Sequence, residues 1–127
     1  MGYPAGYRYT KDHEWVSLEG KKARVGITDH AQAELGDIVF VELPAVGTQV
    51  DKGDNVATVE SVKAVGDVFS PASGRVTAVN EGLESTPETI NASPHESGWI
   101  FELEINDPAE LGDTLDAPGY ESLIAGS

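Results

Sequence analysis

The sequence predicts a mainly β domain of two related halves, with short helices and a helical C-terminus. First, Trp15-Val16-Ser17-Leu18 and Ala23-Arg24-Val25-Gly26-Ile27 alternate apolar and polar residues around Glu19-Gly20, the pattern of two strands joined by a tight turn. Second, Trp99, Phe101, Leu103 and Ile105 alternate with Ile100, Glu102 and Glu104, which gives one face to a core and leaves the other largely to water. Third, Gly36-Asp37-Ile38-Val39 recurs as Gly66-Asp67-Val68-Phe69, and Pro44-Ala45-Val46-Gly47 recurs as Pro71-Ala72-Ser73-Gly74. Gly-Asp and Pro-x-x-Gly are common turn chemistry when met singly; their shared order indicates two related β halves. The segment joining such halves, residues 54 to 66, is then a hairpin near the pseudo-symmetry axis, with Ser61-Val62-Lys63-Ala64 at or near its tip.

The elements follow in order. After the first hairpin, Asp29 with Gln32 three residues on resembles a capping box and Gly36 is a stop, which predicts a short helix over residues 30 to 35. Ile38 to Leu43, Val56 to Glu60, Val65 to Phe69 and Arg75 to Val79 are β-rich runs separated by Gly, Pro and Asp. Thr86-Pro87 can begin a further short turn of helix. Beyond the last strand, Asp107-Pro108 and Asp116-Ala117-Pro118 pair a side-chain acceptor with a first-turn proline, the chemistry of a helix start. The second start leads into Tyr120, Leu123 and Ile124 at helical spacing, up to about Gly126. The length of 127 residues suits one domain, residues 1–127, with a tail from about 107 to 127 packed on it.

Charge narrows the partners. Twenty-two acids against eight bases give a formal net charge of −14, and no Lys or Arg follows Arg75 while eleven Asp and Glu do. Nucleic-acid affinity is built from basic neutralisation of phosphates, so nucleic acid is not expected as a partner. Anionic membranes are disfavoured for the same reason, and no apolar run approaches the roughly 18 residues needed to span a bilayer. The field suits positive protein surfaces and favours a monomer that binds partners transiently. Absence of cysteine removes disulfides and thiolate sites and fits a reducing compartment. Met1-Gly2-Tyr3-Pro4-Ala5-Gly6 shows neither a signal-peptide apolar stretch nor an Arg-rich presequence, so a bacterial cytoplasmic address is expected, with the mitochondrial matrix as the other reading.

Other constellations are weak. His13, His30 and His95 lack the paired spacing of a metal site, so no metal is expected. A stand-alone enzyme using paired carboxylates is open to so acidic a chain, yet no spacing singles out a pair. Trp15 and Trp99 read as core or core-edge residues. Asn91-Ala92-Ser93 fits the glycosylation pattern, which is inert in a cytoplasm.

Lys63 is the only cation between Lys52 and Arg75, and it sits among Val62, Ala64 and Val65 rather than in a solvated charge run. It either keeps an apolar turn soluble or presents an amine for covalent modification. A Schiff-base role would need burial or a cationic neighbour to lower its pKa, and a tip among carboxylates supplies neither.

Glu60-Ser61-Val62-Lys63-Ala64, preceded by Gly26-Ile27-Thr28-Asp29-His30-Ala31-Gln32 and by Leu35-Gly36-Asp37-Ile38-Val39-Phe40-Val41-Glu42-Leu43-Pro44, closely resembles the H proteins of the glycine cleavage system. His13-Glu14-Trp15, Ser70-Pro71-x-Ser73-Gly74, Gly98-Trp99 and the helical tail extend the resemblance nearly end to end. It implies a flattened barrel-like β sandwich of two pseudo-symmetric halves, the lipoyl/biotinyl-carrier motif. It also implies lipoic acid in amide linkage on Lys63, with Glu60, Ser61, Val62 and Ala64 positioning that lysine for a lipoate ligase or a lipoyl/octanoyl transferase.

The carrier so implied is no enzyme. It shuttles between a pyridoxal-phosphate glycine decarboxylase (P protein), a tetrahydrofolate-dependent aminomethyltransferase (T protein) and dihydrolipoamide dehydrogenase (L protein). Glu14 and Asp67 match positions lining the cleft that shelters the loaded arm. The sequence departs from the family at Asp12, where relatives carry Ser, and at Glu34, where they carry His. Two related architectures fit less well. A biotin carrier brackets its lysine with methionines, where Val62 and Ala64 stand, and a dehydrogenase-complex lipoyl domain has Asp-Lys-Ala where this chain has Val62-Lys63-Ala64. A lipoate-donor role within the same family is a further reading.

Overall fold

The computed structural model describes residues 3–126, so Met1, Gly2 and Ser127 of the expected domain and tail lie outside the described residues. Nine strands form two antiparallel sheets. They are β1 (Arg8–Tyr9), β2 (Glu14–Glu19), β3 (Lys22–Ile27), β4 (Ile38–Glu42), β5 (Gln49–Val50), β6 (Asn55–Ser61), β7 (Val65–Phe69), β8 (Gly74–Val79) and β9 (Phe101–Ile105). The larger sheet has the order β1-β2-β3-β9-β8-β5 and the smaller β4-β6-β7. Val16, Val25, Val76 and Leu103 from the larger sheet and Val41, Val59 and Val68 from the smaller share one buried cluster, which makes the pair a flattened sandwich.

The repeat corresponds to equivalent places in this topology. Its Gly-Asp copies enter β4 and β7, which flank β6 on either side. Its Pro-x-x-Gly copies lead towards β5 and β8, which pair with each other through Gln49↔Arg75 and Val50↔Gly74. The first hairpin also forms as expected, with Val16 opposite Val25 and a turn through Gly20.

Three local expectations need correction. Helix α1 (Asp29–Leu35) is capped by Thr28, whose extended backbone lets Oγ1 accept the Ala31 N–H at 3.2 Å. Asp29 lies inside the first turn, where its carboxylate accepts from Gln32 Nε2 at 2.8 Å instead of capping. Ile100 is fully buried although the alternation turned it to water. It immediately precedes β9, donating its N–H to Val25 O and accepting from Asn80 N–H. Trp99 lies at the core edge, as expected, partly buried against the cluster that holds Trp15, with the Arg24 guanidinium 4.5 Å from its ring centroid. The helix expected at Thr86-Pro87 starts one turn later as α3 (Thr89–Ala92), after an unforeseen α2 (Gly82–Ser85).

The tail closes a second buried cluster, formed by Tyr9, Trp15, Ala117 and Tyr120. Asp107 caps a 3₁₀ turn (Pro108–Asp113), and Asp116 caps α4 (Ala117–Ala125) by accepting from Gly119 N–H at 2.9 Å. Buried Tyr120 of α4 stacks on Tyr9 of β1, with ring centroids 5.0 Å apart. Arg8 donates to both Thr114 Oγ1 and Thr114 O, and the Glu110 carboxylate accepts from Ser73 N–H and Oγ–H. No helix among the described residues is long and apolar enough to cross a membrane.

Candidate functional site: a lysine tip beside an acidic cleft

Strands β6 and β7 run antiparallel up to Glu60↔Val65, and residues 61–64 make the turn. Ser61 organises it. Its N–H donates to Ala64 O at 2.8 Å, and its Oγ accepts from Ala64 N–H at 3.0 Å and from Lys63 N–H at 3.3 Å. Val62 N–H donates sideways to Asp37 O at 3.1 Å, tying the tip to the chain that leaves α1. Lys63 is exposed, and its ammonium makes no ion pair with a described acid. Its stem lies over Gly36: a Cβ at that glycine would sit 3.3 Å from Lys63 Cε. The φ of 83° at Gly36 also calls for glycine.

Glu60 sits between Phe40 and Val65 in one cross-strand row. Phe40 is 50% exposed, Val65 63% and Val62 70%, so apolar surface surrounds the lysine. A lone exposed apolar side chain is ordinary; here three are grouped about the exposed Lys63.

Next to the tip lies a cavity of about 270 Å³. Ile27, Val59 and Val68 are among its apolar lining residues, and Asp12, Glu34 and Asp67 supply carboxylates. The geometry does not bring Glu14 into this cavity. Glu14 lines a separate cavity of about 510 Å³ that shares Asp12 with the first and also carries Lys11 and Lys52.

Glu14 is 2% exposed and accepts from Thr10 Oγ1 at 2.6 Å and from Phe69 N–H at 3.1 Å, joining β2 to the end of β7. Burial pushes its carboxyl up to about 7, against the counter-effect of those two hydrogen bonds. A free carboxyl releases its proton near 4.5, so between these values the folded chain binds the extra proton and stability falls as pH rises. Glu14→Gln cannot ionise. From about pH 4.5 to about pH 8 it should lose roughly 3 kcal/mol less stability than the parent, read from denaturant midpoints at both pH values. Parallel losses in the two proteins would show that Glu14 ionises in the fold without cost.

Two groupings had no counterpart in the spacing of the sequence. His13 meets His30, their ring centroids 4.8 Å apart, because Glu14↔Ile27 pairing brings His13 beside the start of α1. The only readable signal was His30 and Glu34, four apart on one helix face, which pair at 2.7 Å. Asn91, noted only for its glycosylation pattern, has its amide fully engaged. Its Oδ1 accepts from Ile38 N–H, and its Nδ2 donates to Gln32 Oε1 and Gly36 O, each at 2.9 Å. It thereby stitches the end of α1 to β4 beneath the lysine stem. His95 is a buried structural acceptor, taking the Asp29 N–H on Nε2 at 3.1 Å.

A flattened sandwich of two related halves that holds a lysine out on a hairpin tip is the architecture of a carrier domain for a covalently attached cofactor. The Glycine cleavage H-protein family model matches residues 7–126. The chain belongs to that family, whose members are lipoyl carriers of the glycine cleavage system rather than catalysts. It is 55% identical over 125 residues to the "Glycine cleavage system H protein" of Koribacter versatilis, covering 98% of this chain and 96% of the relative. With the protein of that name from Thermotoga maritima it shares 54% identity over 118 residues, covering 93% and 95%. A crystal structure of a glycine cleavage system H protein from Mycobacterium marinum superposes with a TM-score of 0.89 at 37% identity, covering 97% of this chain and 99% of that one.

Proposed function

We propose that this chain, residues 1–127 acting as one carrier domain, is a lipoyl-bearing shuttle with its arm on Lys63. The observation that carries the reading is an exposed, unpaired amine on a Ser61-organised turn that opens beside a carboxylate-lined cavity. Residues present fit the group. The turn's hydrogen bonds at Lys63 use its main chain, which leaves Nζ free for an amide, and Ile27, Leu35, Val59 and Val68 offer apolar surface for a hydrocarbon arm. When bound, lipoic acid would supply a dithiolane whose S–S bond opens to take the aminomethyl group left by glycine decarboxylation on one sulfur, and passing that carbon to tetrahydrofolate would release ammonia and leave a dithiol for dihydrolipoamide dehydrogenase to reoxidise.

The chain's own residues do the rest. Asp12, Glu34 and Asp67 set a negative field that favours an ammonium at the end of a loaded arm. Glu14 acts from behind, fixing Thr10 and Phe69, and is assigned to the arm cleft only through the family match. Glu60, Ser61, Val62 and Ala64 present the lysine to a lipoate ligase or a lipoyl/octanoyl transferase. The partners are then the P, T and L proteins, met transiently by a monomer in a bacterial cytoplasm.

Intact and peptide-level mass spectrometry after treatment with lipoate and its ligase tests the attachment. The expected result is a single lipoyl adduct on Lys63. An adduct on another lysine, or none under conditions that lipoylate a known carrier, overturns the assignment, and a biotinyl adduct at Lys63 from the native host moves the chain to the biotin carriers.

A further inference from the structure

The geometry points to a binding site for one divalent transition-metal ion, of zinc's class, formed by His13, His30 and Glu34 on the wall of the cleft. Each offers a ligand atom, and all three atoms lie within 4.8 Å of one another. Ligands around a tetrahedral zinc stand about 2.0–2.2 Å from the metal, hence about 3.3 Å from each other. Closing the set therefore needs small side-chain rotations. Glu34 has the freedom for this, its side chain being 66% accessible on the helix surface. His30 and Glu34 are four residues apart on α1, the spacing that puts two donors on one helix face.

His13 is the residue that turns a surface ion pair into a three-donor set. Its φ of 70° is the only left-handed value at a non-glycine among the described residues. Such a conformation at a bulky side chain persists when surrounding structure holds it. Its Nδ1 lies 2.7 Å from Tyr120 Oη, which lies 2.7 Å from Thr28 Oγ1. The tyrosine hydroxyl can accept from Nδ1–H while donating to Thr28, the tautomer that leaves a lone pair on Nε2. Ligating histidines characteristically have their second nitrogen held in this way. Nε2 has no other hydrogen-bond partner among the described residues.

Two imidazoles and one carboxylate suit zinc, copper, nickel or cobalt, whereas magnesium and calcium call for more oxygen donors. Three protein donors leave one coordination position for water on the side of the cavity that His13 and Glu34 line. The sequence expectation of no metal rested on spacing, and spacing cannot count a ligand delivered by strand register.

Zinc titration of the tag-free, unlipoylated chain in excess magnesium tests this, independently of any arm on Lys63. The expected result is one zinc per chain, with imidazole NMR signals of His13 and His30 moving while that of His95 stays. Glu34→Gln should weaken binding at least about tenfold, and Tyr120→Phe by about 10- to 100-fold through the lost support of His13. His13→Asn should abolish binding while keeping the fold, because asparagine tolerates positive φ. Absence of zinc uptake, or uptake unchanged in Glu34→Gln and His13→Asn, overturns the site.

Discussion

Lys63→Arg should bring glycine cleavage by the reconstituted system to background while leaving the folded chain as stable as its parent. Arginine keeps the positive charge at the tip, but its guanidinium stays protonated and cannot form the amide an amine forms. The turn itself does not use the lysine side chain. Ser61 Oγ bonds the main-chain N–H of residues 63 and 64, and Val62 N–H reaches Asp37 O, contacts an arginine at 63 leaves in place. Substitutions at exposed positions away from such features change stability by about 0.5 kcal/mol or less. A variant that melts with the parent and still supports glycine-dependent turnover, with no lipoyl group on it, would remove Lys63 from the mechanism.

Trp15→Ala is the substitution with the largest expected cost to the fold, about 3–5 kcal/mol. The indole is 1% exposed, stacks on Tyr7 with centroids 4.9 Å apart, and donates from Nε1 to Pro94 O at 2.8 Å. It packs so closely over β3 that a Cβ at Gly26 would lie 2.7 Å from its ring. Truncation opens a cavity that this glycine cannot fill and strands the Pro94 carbonyl, so transfer, cavity and hydrogen-bond losses act together. Urea unfolding followed by far-UV dichroism measures it. A loss below about 1 kcal/mol would mean that the second cluster contributes little to the cooperative unit.

Chain-local physics suffices for several elements of this fold. The β2–β3 hairpin, the β6–β7 tip, the capped tail and the repeat were legible because each rests on alternation, a turn residue or a cap within a few positions. Ile100 reads as water-facing because period-two alternation separates core from water only where one face of a strand is solvated, and here neighbouring Ile100 and Phe101 are both fully buried. Thr28 was passed over because Asp29 and Gln32 mimic a box one position out of phase, and only backbone angles tell which residue stands outside the helix. In the cleft, Asp67 falls together with Asp12 and Glu34, the two positions at which the sequence departs from its relatives, whereas Glu14 lines the neighbouring cavity. Strand residues one pleat apart turn opposite ways, and no spacing rule reveals which cavity each face meets. The His13–His30 contact and the Asn91 bonds span layers, so nothing local announces them.

The sideways bond from Val62 to Asp37, together with the Asn91 bonds to Gly36 and Ile38, anchors the hairpin tip to the segment that follows α1. An anchored tip makes any group on Lys63 a tethered reagent with a defined home range. Because the cavity wall at Leu35 adjoins the glycine under the lysine stem, cargo and cleft belong to one intramolecular equilibrium. Short flexible tethers impose effective concentrations of about millimolar. Even a weak resting place can therefore hold the cargo most of the time, and a partner enzyme has only to offer a slightly better one to draw it out.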